Sequence, residues 1–161
     1  LYYNRTRLPP ELEAECKARH VGKDVLLANA DHVVLVLPYT PDNHHTIGAQ
    51  ELARMKPTAT LVNIARGGIV DEAALAAALR EGRLAAAGLD VFEGEPAVHP
   101  DLLTLPNVVL TPHIASATVA TRRAMANLAA DNLIAFFDGR GPLTPVNQLP
   151  GADEFLYQNG L

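Results

Sequence analysis

Cysteine is nearly absent from this sequence, since Cys16 is the only one among 161 residues. A single cysteine excludes an internal disulfide and a metal site built from cysteine ligands. Cys16 stands among charged residues, and we interpret it as a surface thiol without a role. Sparse cysteine is typical of proteins in the reducing cytoplasm, where we expect this protein to be.

Other features are scarce as well. Tryptophan is absent, and no apolar run approaches the roughly 20 residues that a membrane-spanning helix needs. The formal net charge of -5 argues against nucleic acid or an anionic membrane as the main partner. What remains is an ordinary globular composition, 48% hydrophobic and 19% charged, long enough for one domain with a core.

Strand and helix patterns alternate along the chain. Continuous apolar runs predict strands at residues 32–37, 60–65, 85–91 and 108–110. Helical patterns lie at residues 11–20, 21–30, 49–55 and 118–137. Another helix is predicted from Asp71, which can cap its start, to Gly82, which can end it, with Leu75 and Leu79 on one face. Apolar runs without alternation are typical of parallel strands that are buried on both faces. The sequence therefore predicts an α/β protein with a doubly wound parallel sheet, a Rossmann-like nucleotide-binding domain.

The beginning of such a domain is not visible in these residues. Residues 1–3 resemble the tail of a strand, and the chain holds no G-x-G-x-x-G turn for a pyrophosphate. If residues 1–3 are the second strand, the central first strand lies upstream. We therefore expect the working protein to have residues before Leu1, and the fold to be incomplete on its N-terminal side.

Four polar groups follow predicted strands: Arg66, Asp90, Glu95 and His113. Because parallel strands end at one edge of a sheet, we expect these groups to converge on one crevice. A guanidinium can grip a carboxylate, and the glycines after Arg66 would let a ligand approach closely. Glu95 beside His113 would favour a protonated imidazole. Taken singly, each residue has a simpler interpretation, as a surface arginine, a turn cap, a loop acid or a structural histidine.

The adjacent pair His44 and His45 is the other notable histidine feature. The two are not spaced by one helical turn, and no acid lies near them in the sequence at a spacing typical of metal ligands. We therefore expect no metal site.

Three segments taken together resemble a known family. NIARGGIVDE (residues 63–72), AGLDVFEGEP (87–96) and TPHIASAT (111–118) are similar to the signatures of the D-isomer-specific 2-hydroxyacid dehydrogenases. The likeness runs from Leu1 to about Asn147. Within the family it is greatest to the glyoxylate/hydroxypyruvate reductases and the 2-ketogluconate reductases.

The resemblance implies a two-domain enzyme that is a homodimer. Residues 1–138 would be the later part of the NAD(P)-binding domain, and residues 139–161 would return toward a substrate domain. The implied reaction reduces a small 2-oxo acid to the D-2-hydroxy acid by hydride transfer from a nicotinamide. Arg66 would hold the carboxylate and carbonyl oxygen, His113 would protonate that oxygen, and Glu95 would keep His113 charged.

Cofactor preference is read at the end of the second strand, where NAD-preferring members carry an acid. Asn4 stands there instead, followed by Arg5 and Arg7, which favours the 2′-phosphate of NADP, with NAD as a possible substitute. The simpler alternative is that both arginines are ordinary loop charges. The full set of expected cofactor-binding residues is Asn4, Arg5, Arg7, Pro38, Ile64, Ala65, Arg66, Asp90, His113 and Ala115.

A second function is compatible with the same residues. The fold also serves in a nucleotide-sensing corepressor, and a non-catalytic sensor can retain all three catalytic groups. A third interpretation is a fragment that has no activity of its own.

Overall fold

The computed structural model describes residues 1–146. Its sheet has four parallel strands in the order β1-β2-β3-β4. They are β1 (His32–Leu35), β2 (Thr60–Asn63), β3 (Ala86–Leu89) and β4 (Val108–Leu110). The predicted parallel sheet is therefore confirmed. Three of the four predicted strands extended too far at their carboxyl ends, where the chain turns into loops.

Five α-helices accompany the sheet in residues 1–146. They are α1 (Pro10–Glu15), α2 (Lys23–Asn29), α3 (Ala49–Arg54), α4 (Glu72–Arg80) and α5 (Val119–Phe137). Short 3-10 turns lie at Pro41–Asn43, Gly67–Ile69 and Pro100–Thr104.

Helix α1 is shorter than the predicted helix at residues 11–20. Lys17 takes a left-handed backbone with φ of 49°, and the Ala18 amide donates back to the Glu13 carbonyl at 2.8 Å. This is a helix-ending turn of the kind that usually carries glycine. The prediction was wrong because the sequence offers no glycine to mark this stop.

Helix α4 follows its sequence signals closely. The Asp71 carboxylate accepts a hydrogen bond from the Ala74 amide at 2.9 Å and caps the first turn. Gly82, at φ of 69°, supplies the left-handed stop. Leu75 and Leu79 are buried on one face of the helix, as predicted.

One face of the sheet carries the core. Val33 and Leu35 of β1 are buried among apolar residues of helices α2, α3 and α4, whereas Val34 is 53% exposed. On β4, Val109 is 68% exposed. The prediction of strands covered on both faces is therefore wrong for residues 1–146. A continuous apolar run shows that both faces are apolar, not that this chain covers both of them.

The N-terminal residues form a single bridge. Tyr2 pairs in parallel with His20, outside the four-stranded sheet. Here the Tyr2 amide donates to the Arg19 carbonyl, and the Val21 amide to the Tyr2 carbonyl, both at 3.0 Å. The predicted strand tail is thus reduced to one paired residue.

The chain divides into two compact units, one of residues 1–115 and one that begins at Ser116. In the second unit, the Thr118 side chain caps α5 by accepting from the Thr121 amide at 3.1 Å. The helix predicted at residues 118–137 is confirmed. A domain boundary after residue 138 stays a prediction, and the segment 151–161 lies outside the described residues. Within residues 1–146, no helix has the length and apolar character needed to cross a bilayer.

Candidate active site

A cleft of about 1020 Å³ opens where the strands of the first unit end at their carboxyl side. Segments that follow β1, β2, β3 and β4 all contribute to its wall. The lining residues that matter below are Pro38, Tyr39, His44, Ile64, Ala65, Arg66, Glu93, Glu95 and His113. The structure thus brings Arg66, Glu95 and His113 into one cleft, although they lie far apart in the sequence.

Arg66 reaches the cleft from a turn that is fixed by Asn63. The buried Asn63 side chain accepts from the Ala65 amide at 3.0 Å and donates to the Arg66 carbonyl at 2.9 Å. The Arg66 guanidinium is exposed and donates to the Ala65 carbonyl at 2.6 Å. Among residues 1–146, no carboxylate lies within ion-pair distance of Arg66. Its charge is therefore available to an anionic ligand.

Gly67 allows two loops to pack closely at the wall of the cleft. A Cβ added to Gly67 would lie 1.9 Å from the carbonyl carbon of Phe92, so only glycine fits there. At Gly68, an added Cβ would lie 2.9 Å from the Tyr39 ring. Both glycines line the cleft, and the expectation that they let a ligand approach closely stays a prediction.

Glu95 and His113 form a hydrogen-bonded pair. His113 Nδ1 lies 2.9 Å from Glu95 Oε2, and the Phe92 amide donates to Glu95 Oε1 at 2.9 Å. The hydrogen bond from His113, and then the one from the Phe92 amide, lower the pKa of Glu95. Glu95 is therefore an anion that touches the imidazole, with Arg66 adding a smaller attraction.

Asp90 holds the loop that carries His113. It is 5% exposed and accepts from the Thr111 hydroxyl at 2.6 Å and from the Ile114 and Ala115 amides at 2.9 Å. Burial raises the pKa of Asp90, but these three hydrogen bonds together outweigh burial and lower it. His113 itself has φ of 53°, a left-handed backbone that is uncommon outside glycine and that surrounding contacts must maintain.

The remaining predicted cofactor-binding residues fall into two groups. Pro38, Ile64 and Ala65 line the cleft. Asp90 accepts from the Ala115 amide, and neither residue lines the cleft, so their contact with a cofactor stays a prediction.

Asn4, Arg5 and Arg7 do not line this cleft. The Asn4 side chain accepts from the Arg5 amide at 2.9 Å. Arg7 binds Glu13 through Nε at 2.8 Å and Nη2 at 2.7 Å. Hydrogen bonds from Arg7 and then Tyr2 lower the pKa of Glu13 to about 2. Part of the Arg7 charge is thus already neutralised by Glu13.

Sequence reasoning missed six residues that also line the cleft: Val36, Leu37, Tyr39, His44, Phe92 and Glu93. Phe92 and Glu93 carried one signal in the sequence, because they lie inside the second motif. Glu93 Oε2 lies 2.8 Å from His45 Nε2, although the two residues are 48 positions apart in the sequence. Contacts over such distances in sequence become visible only in the fold.

Comparison with known proteins identifies the family. The family model for the NAD binding domain of D-isomer specific 2-hydroxyacid dehydrogenases matches residues 1–115. The chain belongs to this family. The resemblance noted in the sequence is thereby confirmed.

Named relatives agree with this dehydrogenase family. A glyoxylate reductase of Thermococcus gammatolerans is 55% identical over 148 residues, which cover 92% of this chain and 44% of that protein. A glyoxylate/hydroxypyruvate reductase B of Pectobacterium atrosepticum is 52% identical over 139 residues, covering 86% of this chain and 43% of that protein. The chain therefore spans less than half the length of these relatives.

Solved structures of the dehydrogenase family confirm the Rossmann-like fold. An NADPH-dependent glyoxylate/hydroxypyruvate reductase from Sinorhizobium meliloti, in complex with NADP and malonate, has a TM-score of 0.80 at 40% identity, covering 90% of this chain and 44% of that one. A D-mandelate dehydrogenase from Rhodotorula graminis, in a holo form, has a TM-score of 0.85 at 35% identity, covering 92% and 44%.

Proposed function

We propose that the protein containing this chain reduces a small 2-oxo acid to the D-2-hydroxy acid, with NADPH as hydride donor. The observation that carries the proposal is the His113–Glu95 pair, 2.9 Å apart, in the same cleft as Arg66. Glyoxylate, hydroxypyruvate and 2-ketogluconate are the candidate substrates. Relatives named for the reduction of glyoxylate and hydroxypyruvate support the first two.

The cleft fits a nicotinamide cofactor in its chemical character. Val36 and Ile64 are 74% and 45% exposed in its wall, although both are large and apolar. Exposed apolar side chains beside a free guanidinium suit a flat ring next to an anionic substrate. When bound, the cofactor supplies the hydride chemistry.

The chain's own residues supply binding and proton transfer. Arg66 binds the substrate carboxylate and polarises the neighbouring carbonyl. Since His113 Nδ1 is held by Glu95, its Nε2 is the nitrogen left to donate a proton to the carbonyl oxygen. The anionic Glu95 stabilises the imidazolium before the transfer. Asp90 fixes the loop, so that His113 keeps its orientation.

Preference for NADPH is the finer part of the proposal. Asn4 carries no charge where an acid would repel a 2′-phosphate, and Arg5 and Arg7 follow it. The Arg7 guanidinium is already paired with the Glu13 carboxylate at 2.7 Å, which neutralises part of its charge. We therefore assign the larger contribution to Arg5, with NADH as the weaker donor.

The direct test follows NADPH absorbance in the protein containing these 161 residues. We expect absorbance to fall when glyoxylate or hydroxypyruvate is added, and to stay constant with a simple monocarboxylate that lacks the 2-oxo group. Saturable NADPH binding without turnover of any of the three substrates would support the nucleotide-sensing alternative instead. Light scattering during gel filtration tests the homodimer that we propose as the assembled form.

A further inference from the structure

A second cluster of chemically active side chains lies at the rim of the cleft. It consists of His44 and His45, from the loop after β1, and Glu93, from the loop after β3. His44 and Glu93 line the cleft, and none of the three has a role in the proposed reaction. In residues 1–146 this is the one group of three histidine, cysteine or acidic side chains with ligand atoms close enough to share an ion.

Both imidazoles present Nε2 to the same carboxylate. His45 Nε2 lies 2.8 Å from Glu93 Oε2, and His44 Nε2 lies 3.6 Å from Glu93 Oε1. The two rings are stacked, with centroids 3.8 Å apart. All three ligand atoms lie within 4.8 Å of one another.

Contacts behind the cluster hold its members in place. His44 Nδ1 lies 3.2 Å from the Tyr39 hydroxyl, which leaves Nε2 for a ligand. The His45 amide donates to the Gly68 carbonyl at 2.8 Å, and His45 has a left-handed backbone with φ of 50°. The Glu93 amide donates to the carboxylate of Glu72, a buried residue, at 2.7 Å. A second ring nitrogen held by a hydrogen bond, as in His44, is the arrangement that orients histidine ligands in metal sites.

We propose that His44, His45 and Glu93 form a binding site for a divalent transition metal ion of the Zn²⁺ class. Two imidazoles and one carboxylate suit Zn²⁺, and three protein ligands leave a fourth position for water or an anion. The sequence analysis expected no metal site here, because only His44 and His45 are neighbours along the chain. The fold brings the missing acid from 48 positions away.

Only small movements convert the present arrangement into a tetrahedral site. In a tetrahedral site with metal–ligand bonds of about 2.1 Å, neighbouring ligand atoms are about 3.4 Å apart. The three ligand atoms here already lie within 4.8 Å of one another. The three side chains are 35% to 42% exposed, so they are free to rotate inward. Binding at Nε2 requires the neutral imidazole with its proton on Nδ1, so the hydrogen bond between His45 and Glu93 is replaced by one bond from each residue to the ion.

Calorimetric titration of the full chain with Zn²⁺ at neutral pH tests the proposal, in a Cys16→Ser background that removes the exposed thiol. We expect one ion per chain. His45→Asn keeps a residue that tolerates the left-handed backbone, and Glu93→Gln keeps the backbone tie to Glu72. Each change should weaken Zn²⁺ binding at least about tenfold.

His32→Gln is the matched control, since His32 is an exposed histidine elsewhere in the same unit, and it should leave the affinity unchanged. Thermal melting without zinc shows that each variant is folded. Absence of saturable binding in the unaltered site would overturn the proposal. So would equal affinity in the parent chain, His45→Asn and Glu93→Gln. The result is independent of the proposed reductase activity, because zinc binding is measured without cofactor or substrate.

Discussion

Two carboxylates in this chain each accept three hydrogen bonds, yet they organise their surroundings differently. Asp90 takes its bonds from one loop, two of them from backbone amides. Glu13 takes all three from side chains, two from Arg7 and one from Tyr2. The first therefore fixes the course of the backbone, whereas the second fixes only the ends of flexible side chains. The same chemistry holds the loop of the proposed proton donor in one place and neutralises part of a cation's charge in the other.

The largest effect on turnover should come from replacing His113, which lies in the loop that Asp90 holds. His113→Asn keeps a residue that tolerates the left-handed backbone but removes the proton donor. We expect the turnover number to fall about 10² to 10⁴-fold. The assay is NADPH oxidation with glyoxylate in the protein containing this chain. Unchanged turnover, with melting and NADPH binding intact, would remove His113 from the mechanism.

Asp90→Asn should come next, because it breaks the backbone clamp. The asparagine side chain has one oxygen in place of two, so it cannot accept all three hydrogen bonds that the carboxylate accepts. The free energy of unfolding should therefore fall by about 1–3 kcal/mol. Urea denaturation measures this change, and turnover should also drop as the His113 loop loosens. Glu13→Gln is the matched comparison and should cost less stability without lowering turnover. A larger stability loss for Glu13→Gln than for Asp90→Asn would show that the side-chain hydrogen bonds of Glu13 stabilise the fold more than the backbone hydrogen bonds of Asp90.

The cofactor preference should respond to the N-terminal residues by a smaller factor. Asn4→Asp should shift the ratio of specificity constants toward NADH about tenfold, which corresponds to about 1.4 kcal/mol of added repulsion. Arg5→Ala should raise KM for NADPH more than Arg7→Ala, since Glu13 already neutralises part of Arg7. Steady-state kinetics with both cofactors decides this, and the opposite order would show that the Glu13 pair leaves Arg7 free to bind phosphate.

The smallest effect is a pH dependence at Glu13. Its pKa falls from 4.5 to about 2 in the folded chain. A lowered folded pKa stabilises the protein above pH 4.5, and this contribution is lost as the pH falls toward about 2. Thermal melting from pH 6 to pH 2 should therefore show a shallower decline for Glu13→Gln. Parallel curves for the two proteins would mean that Glu13 does not titrate in this range.

The sequence predicted the features that rest on local chemistry or on the family motifs. Helix α4 was predicted because Asp71 and Gly82 mark its two ends, and the meeting of Arg66, Glu95 and His113 followed from the strand ends. The end of α1 was missed because Lys17 adopts its left-handed turn without a glycine. Two contacts depend on how loops meet in space, which no local pattern encodes. They are the hydrogen bonds by which Asp90 holds the His113 loop and the approach of Glu93 to His45.

The missing side chain of Gly67 has a mechanical consequence. The Gly67 backbone packs directly against that of Phe92. The segment that contains Arg66 and the segment that contains Glu95 are therefore in close contact. Any closing motion that shields a bound substrate from water must carry the two segments as one rigid block. The spacing between Arg66, the proposed substrate anchor, and Glu95, which bonds to the proposed proton donor, is then set before a substrate arrives.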